Sequence, residues 1–368
     1  MFLYTPAMNW IPPDFPRHGR AAVSSRTGRF ESLQRAAIDD GWEDEEDGGA
    51  HPPLRTTVGI DRARRIIATN QSPDVPFDRS INPYQGCEHG CIYCFARPTH
   101  AYYGLSPGLD FETKLFQKPD APALLATELR QPRYRPAVIA LGANTDPYQP
   151  IERGLQLTRR ILQVLADFGH PVAIVTKSPL VTRDIDILAP MAAQNLAMVT
   201  LSVTTLDRRL ARCMEPRAAT PGRRLDAIRA LSAAGIPVSV LAAPMIPALN
   251  DAELEAILAA AAKAGACSAG YTLLRLPLEI RDLFVEWLNA NYRDRASHVM
   301  SLVRDTRGGA DYDSRWGQRK TGTGVYAELL ATRFRLARRK LGLDKRSLEL
   351  DVTRFRPQPM KGDQLTLL

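Results

Sequence analysis

Three cysteines stand close together in "NPYQGCEHGCIYCFARP" (Asn82–Pro98), at a C-x3-C-x2-C spacing. The chain has five cysteines in 368 residues, so Cys87, Cys91 and Cys94 place most of its thiols in one short stretch. In a reducing compartment, clustered cysteines are more often metal ligands or catalytic groups than disulfides. The spacing therefore predicts a metal centre.

Two kinds of metal centre are compatible with three thiolates. Structural zinc usually takes four ligands in two spaced pairs; the sequence offers no second pair, although His89 could serve as a fourth ligand. In a [4Fe–4S] cube, each of three cysteines holds one iron, and the fourth iron is left open for a small molecule. The cube is favoured; a zinc site and an unoccupied thiol cluster are the alternatives.

The composition is that of a globular protein, with 45% hydrophobic and 24% charged residues. The sequence contains no run of 18 apolar residues, and its beginning lacks the charged-then-apolar order of a secretory signal. We therefore expect a cytoplasmic protein without membrane segments.

Composition divides the chain into three zones. Residues 1–54 are rich in Pro, Gly and charge, include the acidic run Asp39–Gly49, and are predicted to be disordered. Residues 55–290 form the predicted core domain. Residues 291–368 form a basic C-terminal extension: from residue 295 onward, 16 Lys and Arg face 8 Asp and Glu, which accounts for the whole net charge of +8.

The core zone alternates short apolar runs with helical patterns. Six runs are predicted strands: "SINPYQG" (80–86), "AVIALGAN" (137–144), "PVAIVTKS" (171–178), "AMVTLSVTT" (197–205), "PVSVLAAPMIP" (237–247) and "GYTLLRLP" (270–277). Six βα repeats predict parallel strands with helices outside, as an incomplete barrel. A doubly wound sheet is the alternative, but no G-x-G-x-x-G follows the first strand.

The three cysteines, with Tyr93 before the last of them and βα repeats after them, resemble the radical S-adenosylmethionine (SAM) superfamily. That resemblance implies a partial (β/α)6 TIM-like barrel, a [4Fe–4S] cluster on Cys87, Cys91 and Cys94, and SAM bound at the fourth iron. It also implies reductive cleavage of SAM to methionine and a 5′-deoxyadenosyl radical, with a flavodoxin or ferredoxin as electron donor.

Within the superfamily, "GCEHGCIYCFARPTHAYYG", "NTDPYQPIE", "VTKSP" and "LSVTT" resemble the spore photoproduct lyase-like branch, whose members are often labelled DNA repair photolyases. The resemblance implies a set of SAM contacts. They are Tyr93 beside the cluster, Asn144, Thr145 and Asp146 near the amino group, Lys177 at the carboxylate, Ser202 at the ribose and Ala243 near adenine.

The branch places a hydrogen-donating cysteine after the second strand, where this chain has Ala143. This chain therefore lacks the thiol that the repair reaction of the branch uses at this position. Cys213, after the fourth strand, is the weak candidate for a catalytic thiol, and a tyrosine is another possible hydrogen donor.

Two partners are predicted from the C-terminal zone. The basic loop and helix at Trp316–Gly342 would suit a nucleic-acid backbone, or only a solvated helix face. "QLTLL" (Gln364–Leu368) resembles the short tail that docks on the bacterial sliding clamp. A nucleic-acid substrate is favoured for the radical chemistry. The alternatives are a peptide or small metabolite as substrate, and a non-catalytic metal-stabilised module that binds nucleic acid.

Overall fold

A computed structural model describes residues 19–31, 54–344 and 349–357. Ten strands lie in these ranges: β1 (Thr57–Ile60), β2 (Ala68–Thr69), β3 (Arg79–Ile81), β4 (Tyr84–Gln85), β5 (Lys114–Gln117), β6 (Ile139–Leu141), β7 (Val172–Thr176), β8 (Ala197–Ser202), β9 (Val238–Met245) and β10 (Ser268–Leu273).

Eleven α-helices lie in the same ranges. They are α1 (Leu109–Thr113), α2 (Ala121–Leu129), α3 (Glu152–Leu155), α4 (Leu157–Asp167), α5 (Ile185–Ala193), α6 (Arg208–Met214), α7 (Pro221–Ala233), α8 (Leu254–Lys263), α9 (Ile280–Asn291), α10 (Arg293–Asp305) and α11 (Gly324–Lys340). None of them is long and apolar enough to cross a membrane.

The main sheet has the order β10-β9-β8-β7-β6-β3-β2. Its strands from β3 to β10 pair in parallel, and only β2 runs antiparallel, at the edge beside β3. Five of the six predicted strands are present as β6 to β10. The first, predicted over 80–86, is divided in the structure: Ser80 and Ile81 lie in β3 of this sheet, whereas Tyr84 and Gln85 form β4 of another sheet. The partial (β/α)6 barrel is confirmed; a smaller sheet, in the order β1-β5-β4, adjoins it.

The helices cover the sheet because their apolar faces and the strands' side chains form one core. Ile174, Val199, Leu201 and Val240 are fully buried in the strands, and Ile161 and Leu258 contribute from the helices around them. Strands buried in this way read as continuous apolar runs, which is why the sequence revealed them.

The pattern at residues 152–169 predicts one helix, but the structure has two. Gln156 adopts a left-handed conformation (φ 49°) between α3 and α4. The carboxylate of Glu152 accepts a hydrogen bond from the amide of Thr158 (3.0 Å), so it satisfies a free N–H in the first turn of α4. The same pattern predicts that the helix ends at its final glycine, and this is confirmed at Gly169, which has φ 58°.

Part of the segment predicted to be disordered is packed on the core. In residues 19–31, Ala21 and Ala22 are buried, and the Ser24 hydroxyl donates to Glu286 of α9 (2.7 Å). The rest of that segment, residues 1–18 and 32–53, lies outside the described residues, as do Gln364–Leu368. The boundary predicted after residue 290 falls one residue before the end of α9, and α9 packs against α10.

The basic helix α11 packs on the outer layer of the barrel, against α8 and β10. Arg333 forms a bidentate ion pair with Glu255 of α8 (2.6 and 2.7 Å). The segment between α10 and α11 reaches the edge of the sheet formed by β2 and β3. There the backbone amide of Gly317 and the guanidinium group of Arg319 bond to Asp74. This contact joins the two open edges of the partial barrel.

The last described segment packs on a buried histidine. Phe355 meets the His170 ring edge-on (centroids 5.6 Å), and His170 Nε2 pairs with the Tyr134 hydroxyl (2.7 Å). Burial lowers the pKa of His170 to about 4, so the ring is neutral at pH 7.

This neutral histidine predicts a pH dependence of stability. The contribution of His170 to the free energy of unfolding is fully present above about pH 6.5, the pKa of histidine in the unfolded chain. It is lost as the pH falls towards 4, because the unfolded chain then binds a proton that the buried ring does not. Acidification from pH 7 to 4 should narrow the gap in unfolding free energy between the wild type and His170→Gln by up to about 3 kcal/mol. Urea unfolding at both pH values measures this gap, and a constant gap would contradict the prediction.

Candidate active site

The cysteine loop, residues 86–96, follows β4 of the smaller sheet, shortly after β3 ends at the carboxyl edge of the parallel sheet, where reactive groups gather in such folds. Gly86 (φ 71°) and Gly90 (φ 65°) make its turns. A Cβ at Gly86 would lie 2.7 Å from Leu115 Cδ2 and 3.0 Å from the carbonyl oxygen of Phe111, and the left-handed backbone also favours glycine there. The amide of Cys87 donates to the carbonyl of Phe111 (3.0 Å), which fixes the start of the loop.

The thiols of this loop have the properties that an iron–sulfur cluster requires. Cys87, Cys91 and Cys94 form no disulfide, and the first two are buried. Burial raises the pKa of Cys87 and raises that of Cys91 to about 12 despite the opposing effect of Lys177, so both are neutral thiols until a metal displaces their protons. Three soft sulfur donors fit a [4Fe–4S] cluster.

The alternative zinc ligand, His89, is engaged elsewhere. Its Nδ1 lies 3.3 Å from a carboxylate oxygen of Asp146. Among the described residues, no three His, Cys, Asp or Glu side chains form a group that could hold a single metal ion. A cube has a different requirement, because each thiolate binds its own iron.

A buried ion pair holds the loop from one side. Arg97, fully buried, donates to the carbonyls of Cys91 (2.9 Å) and Gly90 (2.8 Å) and to a carboxylate oxygen of Glu112 in α1 (2.6 Å). The same carboxylate accepts from the amides of Ala21 (3.2 Å) and Ala22 (2.9 Å). Arg97 and Glu112 therefore tie the cysteine loop to α1 and to the N-terminal segment.

A second buried ion pair supports the loop from the other side. Tyr93 donates its hydroxyl hydrogen to Glu215, which also pairs with Arg224 of α7 and accepts from Thr204 (2.7 Å). Burial would raise the pKa of Glu215, but Arg224 and Lys177 outweigh it and lower that pKa to about 2. Glu215 is therefore ionised, and it orients Tyr93.

Lys177 follows β7 and turns towards the cysteine loop. Its Nζ lies 5.8 Å from the centroid of the Tyr93 ring. Burial opposes its charge, but Cys91, Glu215 and Asp146 more than offset this and raise the pKa of Lys177. A permanent cation thus lies beside the thiols, where an anionic ligand group would find a partner.

The three residues predicted to contact the SAM amino group have different roles in the structure. Asp146 accepts from the Thr176 hydroxyl (2.7 Å) and the Lys177 amide (2.8 Å), so it joins the loop after β6 to the end of β7. The Thr145 hydroxyl donates to the carbonyl of Tyr84 (2.7 Å). Within the described residues, the side chain of Asn144 forms no such bond, which leaves its amide for a ligand.

The remaining predicted contacts lie at the ends of β8 and β9. Ser202 is the last residue of β8, and its carbonyl accepts from Arg224 (3.1 Å). Ala243 precedes a cis peptide bond to Pro244, and its carbonyl accepts from the Thr204 hydroxyl (3.1 Å). Both therefore lie on the same edge as the cysteine loop.

Cys213, the weak catalytic candidate, lies in α6, two residues before Glu215. It is partly buried against an apolar cluster that includes Cys91 and Trp287, and Trp287 Nε1 donates to its carbonyl (3.0 Å). Burial is the main cause that raises its pKa, so Cys213 is a protonated thiol at pH 7.

The residues that support the loop were not predicted from the sequence. Arg97, Glu112 and Arg224 looked like ordinary charged residues. Gln149, whose side-chain amide bonds to Glu88 N (2.9 Å) and Gly86 O (3.1 Å), looked like an ordinary polar one. The only signal was charge inside otherwise apolar patterns. Whether such a charged residue supports the loop depends on its burial, and burial depends on the complete fold.

Comparison with known proteins agrees with this geometry. The family model "Radical SAM superfamily" matches residues 81–261. An uncharacterized protein of Mycobacterium tuberculosis is 39% identical over 242 residues, which cover 64% of this chain and 71% of that protein. The chain belongs to the radical SAM superfamily. It is thus an enzyme of that superfamily, and membership implies a [4Fe–4S] cluster and SAM.

Two further comparisons bear on relatives and fold. An uncharacterized protein of Methanocaldococcus jannaschii is 30% identical over 192 residues, covering 52% of this chain and 69% of that protein. A solved structure of a spore photoproduct lyase mutant has a TM-score of 0.55 at 16% identity, over 78% of this chain and 79% of that one. Another mutant, with bound AdoMet and dinucleoside spore photoproduct, has a TM-score of 0.53 at 15% identity, over 77% and 78% of the two chains. At these identities the likeness is one of fold.

The buried Arg97 predicts a measurable loss when it is removed. Arg97→Met leaves the Glu112 carboxylate buried without its partner, which should destabilise the fold by about 3–5 kcal/mol and lower the iron bound after anaerobic reconstitution. Arg29→Met is the matched control, because Arg29 is partly exposed and its ion pair with Glu279 is long (3.4 Å); it should change stability by less than about 1 kcal/mol. Equal melting temperatures and iron contents for both variants would contradict the role assigned to Arg97.

Proposed function

We propose that this radical SAM enzyme binds its cluster through Cys87, Cys91 and Cys94 and acts on a nucleic acid. The observation that carries the first part is the set of three unpaired thiols on one loop at the carboxyl edge of the sheet. Three protein ligands leave one iron of a cube without a protein ligand. When bound there, the cluster and SAM supply one-electron chemistry that ends in abstraction of a hydrogen atom from the substrate.

The protein's own residues would bind and orient SAM. In this proposal Lys177 pairs with its carboxylate, since Lys177 is a cation beside the cysteine loop. Asn144 contacts its amino group, Ser202 its ribose, and the Ala243 backbone its adenine. Thr145 and Asp146 act by positioning, because their side chains bond to Tyr84 and to the end of β7.

A nucleic-acid substrate has two kinds of support. A structure of similar fold, a spore photoproduct lyase mutant, contains a dinucleoside spore photoproduct. The loop between α10 and α11 carries Lys320, whose ammonium group bonds to a backbone carbonyl and to no carboxylate oxygen of the described residues, at the open edge of the barrel. By contrast, α11 contributes less than its sequence suggests, because it lies on the outer layer and Arg333 is paired with Glu255.

The hydrogen donor of this reaction is not the one expected from the branch. Ala143 stands where the branch has a cysteine, so we do not propose the same repair step. Cys213 is the proposed alternative, because it is a protonated thiol whose cluster of apolar neighbours includes Cys91 and Tyr93. An external flavodoxin or ferredoxin is the proposed electron donor.

Anaerobic turnover with labelled substrates tests this function. With SAM, a reductant and DNA carrying deuterium, the wild type should release methionine and 5′-deoxyadenosine that carries the label, whereas a labelled peptide should transfer none. Cys91→Ala should lose the cluster absorbance and all SAM cleavage, because one iron loses its ligand.

Cys267→Ala is the matched control, since the Cys267 thiol bonds to the carbonyl of Val238 (3.3 Å), at the amino end of β9. It should keep both the absorbance and the cleavage. Label from the peptide but not from DNA would replace the nucleic-acid substrate with a peptide. Full SAM cleavage by Cys91→Ala would end the cluster assignment.

A further inference from the structure

A group of cations lies beside the cysteine loop, and none of the SAM contacts proposed above uses it. Arg275 follows β10, at the carboxyl edge of the sheet, and its Cζ lies 5.4 Å from the centroid of the Phe95 ring. Phe95 comes directly after Cys94 and is 47% exposed. Arg275 therefore connects the edge of the barrel with the loop that carries the proposed metal ligands.

Two further cations approach Arg275 from the segment between α10 and α11. Arg307 is 3% exposed, and its guanidinium donates to the carbonyls of Leu274 (2.7 Å) and Gln318 (2.8 Å). Lys320 donates to the carbonyl of Asp74 (2.8 Å), and its own carbonyl accepts from the amide of Leu273 (2.8 Å). Burial, and then Arg275, lower the pKa of both residues, so the charge of Arg275 lies close enough to repel each of the other two.

These three cations bond to backbone carbonyls and to a phenol instead of carboxylates. Arg275 has one long contact, to the Tyr312 hydroxyl (3.5 Å). The acidic groups nearby are already used: Asp313 pairs with Arg315 (2.7 Å), and Asp74 pairs with Arg319. In addition, Nε of Arg275 and Nε of Arg307 are buried without a hydrogen-bond partner.

This group of cations is unfavourable unless a ligand supplies the missing negative charge and hydrogen-bond acceptors. Burying a cation without an anion costs free energy, and a buried N–H without an acceptor adds to that cost. An anion between the three side chains would relieve both penalties. A phosphate is suited to this position, because its oxygens accept several hydrogen bonds and guanidinium groups match them in geometry.

We propose that Arg275, Arg307 and Lys320 form a site for one backbone phosphate of the substrate strand, a proposal that rests on the nucleic-acid substrate proposed above. The exposed face of Phe95 lies next to this site, and an unpaired base stacks on such a ring without regard to sequence. A nucleotide held by its phosphate and stacked on Phe95 would lie beside the cysteine loop. The substrate is therefore a single strand or a nucleotide turned out of a duplex.

Oligonucleotide binding by the full-length, anaerobically reconstituted protein tests this site. The probe is fluorescein-labelled (dT)12, titrated by anisotropy at several salt concentrations. Arg275→Gln and Lys320→Gln should each weaken binding about tenfold, and each should reduce the salt slope by about 0.7 because one phosphate contact is lost. Arg307 is left intact, because its two backbone bonds also support the fold.

The matched control is Arg339→Gln, which removes one positive charge from an exposed position in the last turn of α11. It should leave both the affinity and the salt slope unchanged. Binding of radiolabelled SAM, measured by equilibrium dialysis, should be the same in all three variants and in the wild type.

The possible results are distinguishable. If the wild type binds (dT)12 and all three variants weaken binding equally, the phosphate site is overturned and the nucleic-acid substrate stands. If Arg275→Gln and Lys320→Gln weaken SAM binding and leave (dT)12 binding unchanged, the cations serve the SAM carboxylate and the proposal is overturned. If the wild type does not bind (dT)12, both the site and the proposed substrate class are overturned.

Discussion

Two buried ion pairs fix the cysteine loop, and the geometry of the site depends on them. Arg97 with Glu112 holds the loop from the side of α1, and Arg224 with Glu215 holds Tyr93 from the side of β8 and α7. A charge removed from water is tolerated only with a well-placed partner, so each pair strongly restricts where its loop can lie. The cysteines are thus presented by a scaffold that tolerates little displacement, as a cluster with three protein ligands requires.

The parallel sheet supplies the second constraint, because the carboxyl ends of its strands meet at one edge. Asp146, in the loop after β6, accepts hydrogen bonds from the end of β7. These bonds fix the backbone of Lys177, whose side chain lies towards Tyr93 and Cys91. Ser202, Ala243 and Arg275 follow at the ends of the next three strands. The edge therefore offers soft ligands on the cysteine loop, a cation and polar groups at the strand ends, and further cations after β10, which lie beside Phe95 of the same loop.

The sequence predicted the features that are encoded locally. Five of the six apolar runs became parallel strands and the first supplied part of another, and the spacing of the cysteines identified the loop, because both are readable within a few residues. The break at Gln156 was missed, because it depends on the carboxylate of Glu152, which caps the second helix by accepting from the amide of Thr158. Arg224 was read as part of a helical pattern, and the grouping of Arg275 with Arg307 and Lys320 required the path of the chain beyond α10. These features depend on contacts between distant residues, which periodicity does not contain.

The central claim is that three cysteines bind a [4Fe–4S] cluster with one iron open to SAM. Electron paramagnetic resonance of the reduced, reconstituted protein, recorded with and without SAM, tests it most directly. The account predicts about four irons per chain and a cluster signal that SAM changes at saturating concentration. A signal that is the same with and without SAM, from a cluster with its full iron content, would contradict the claim.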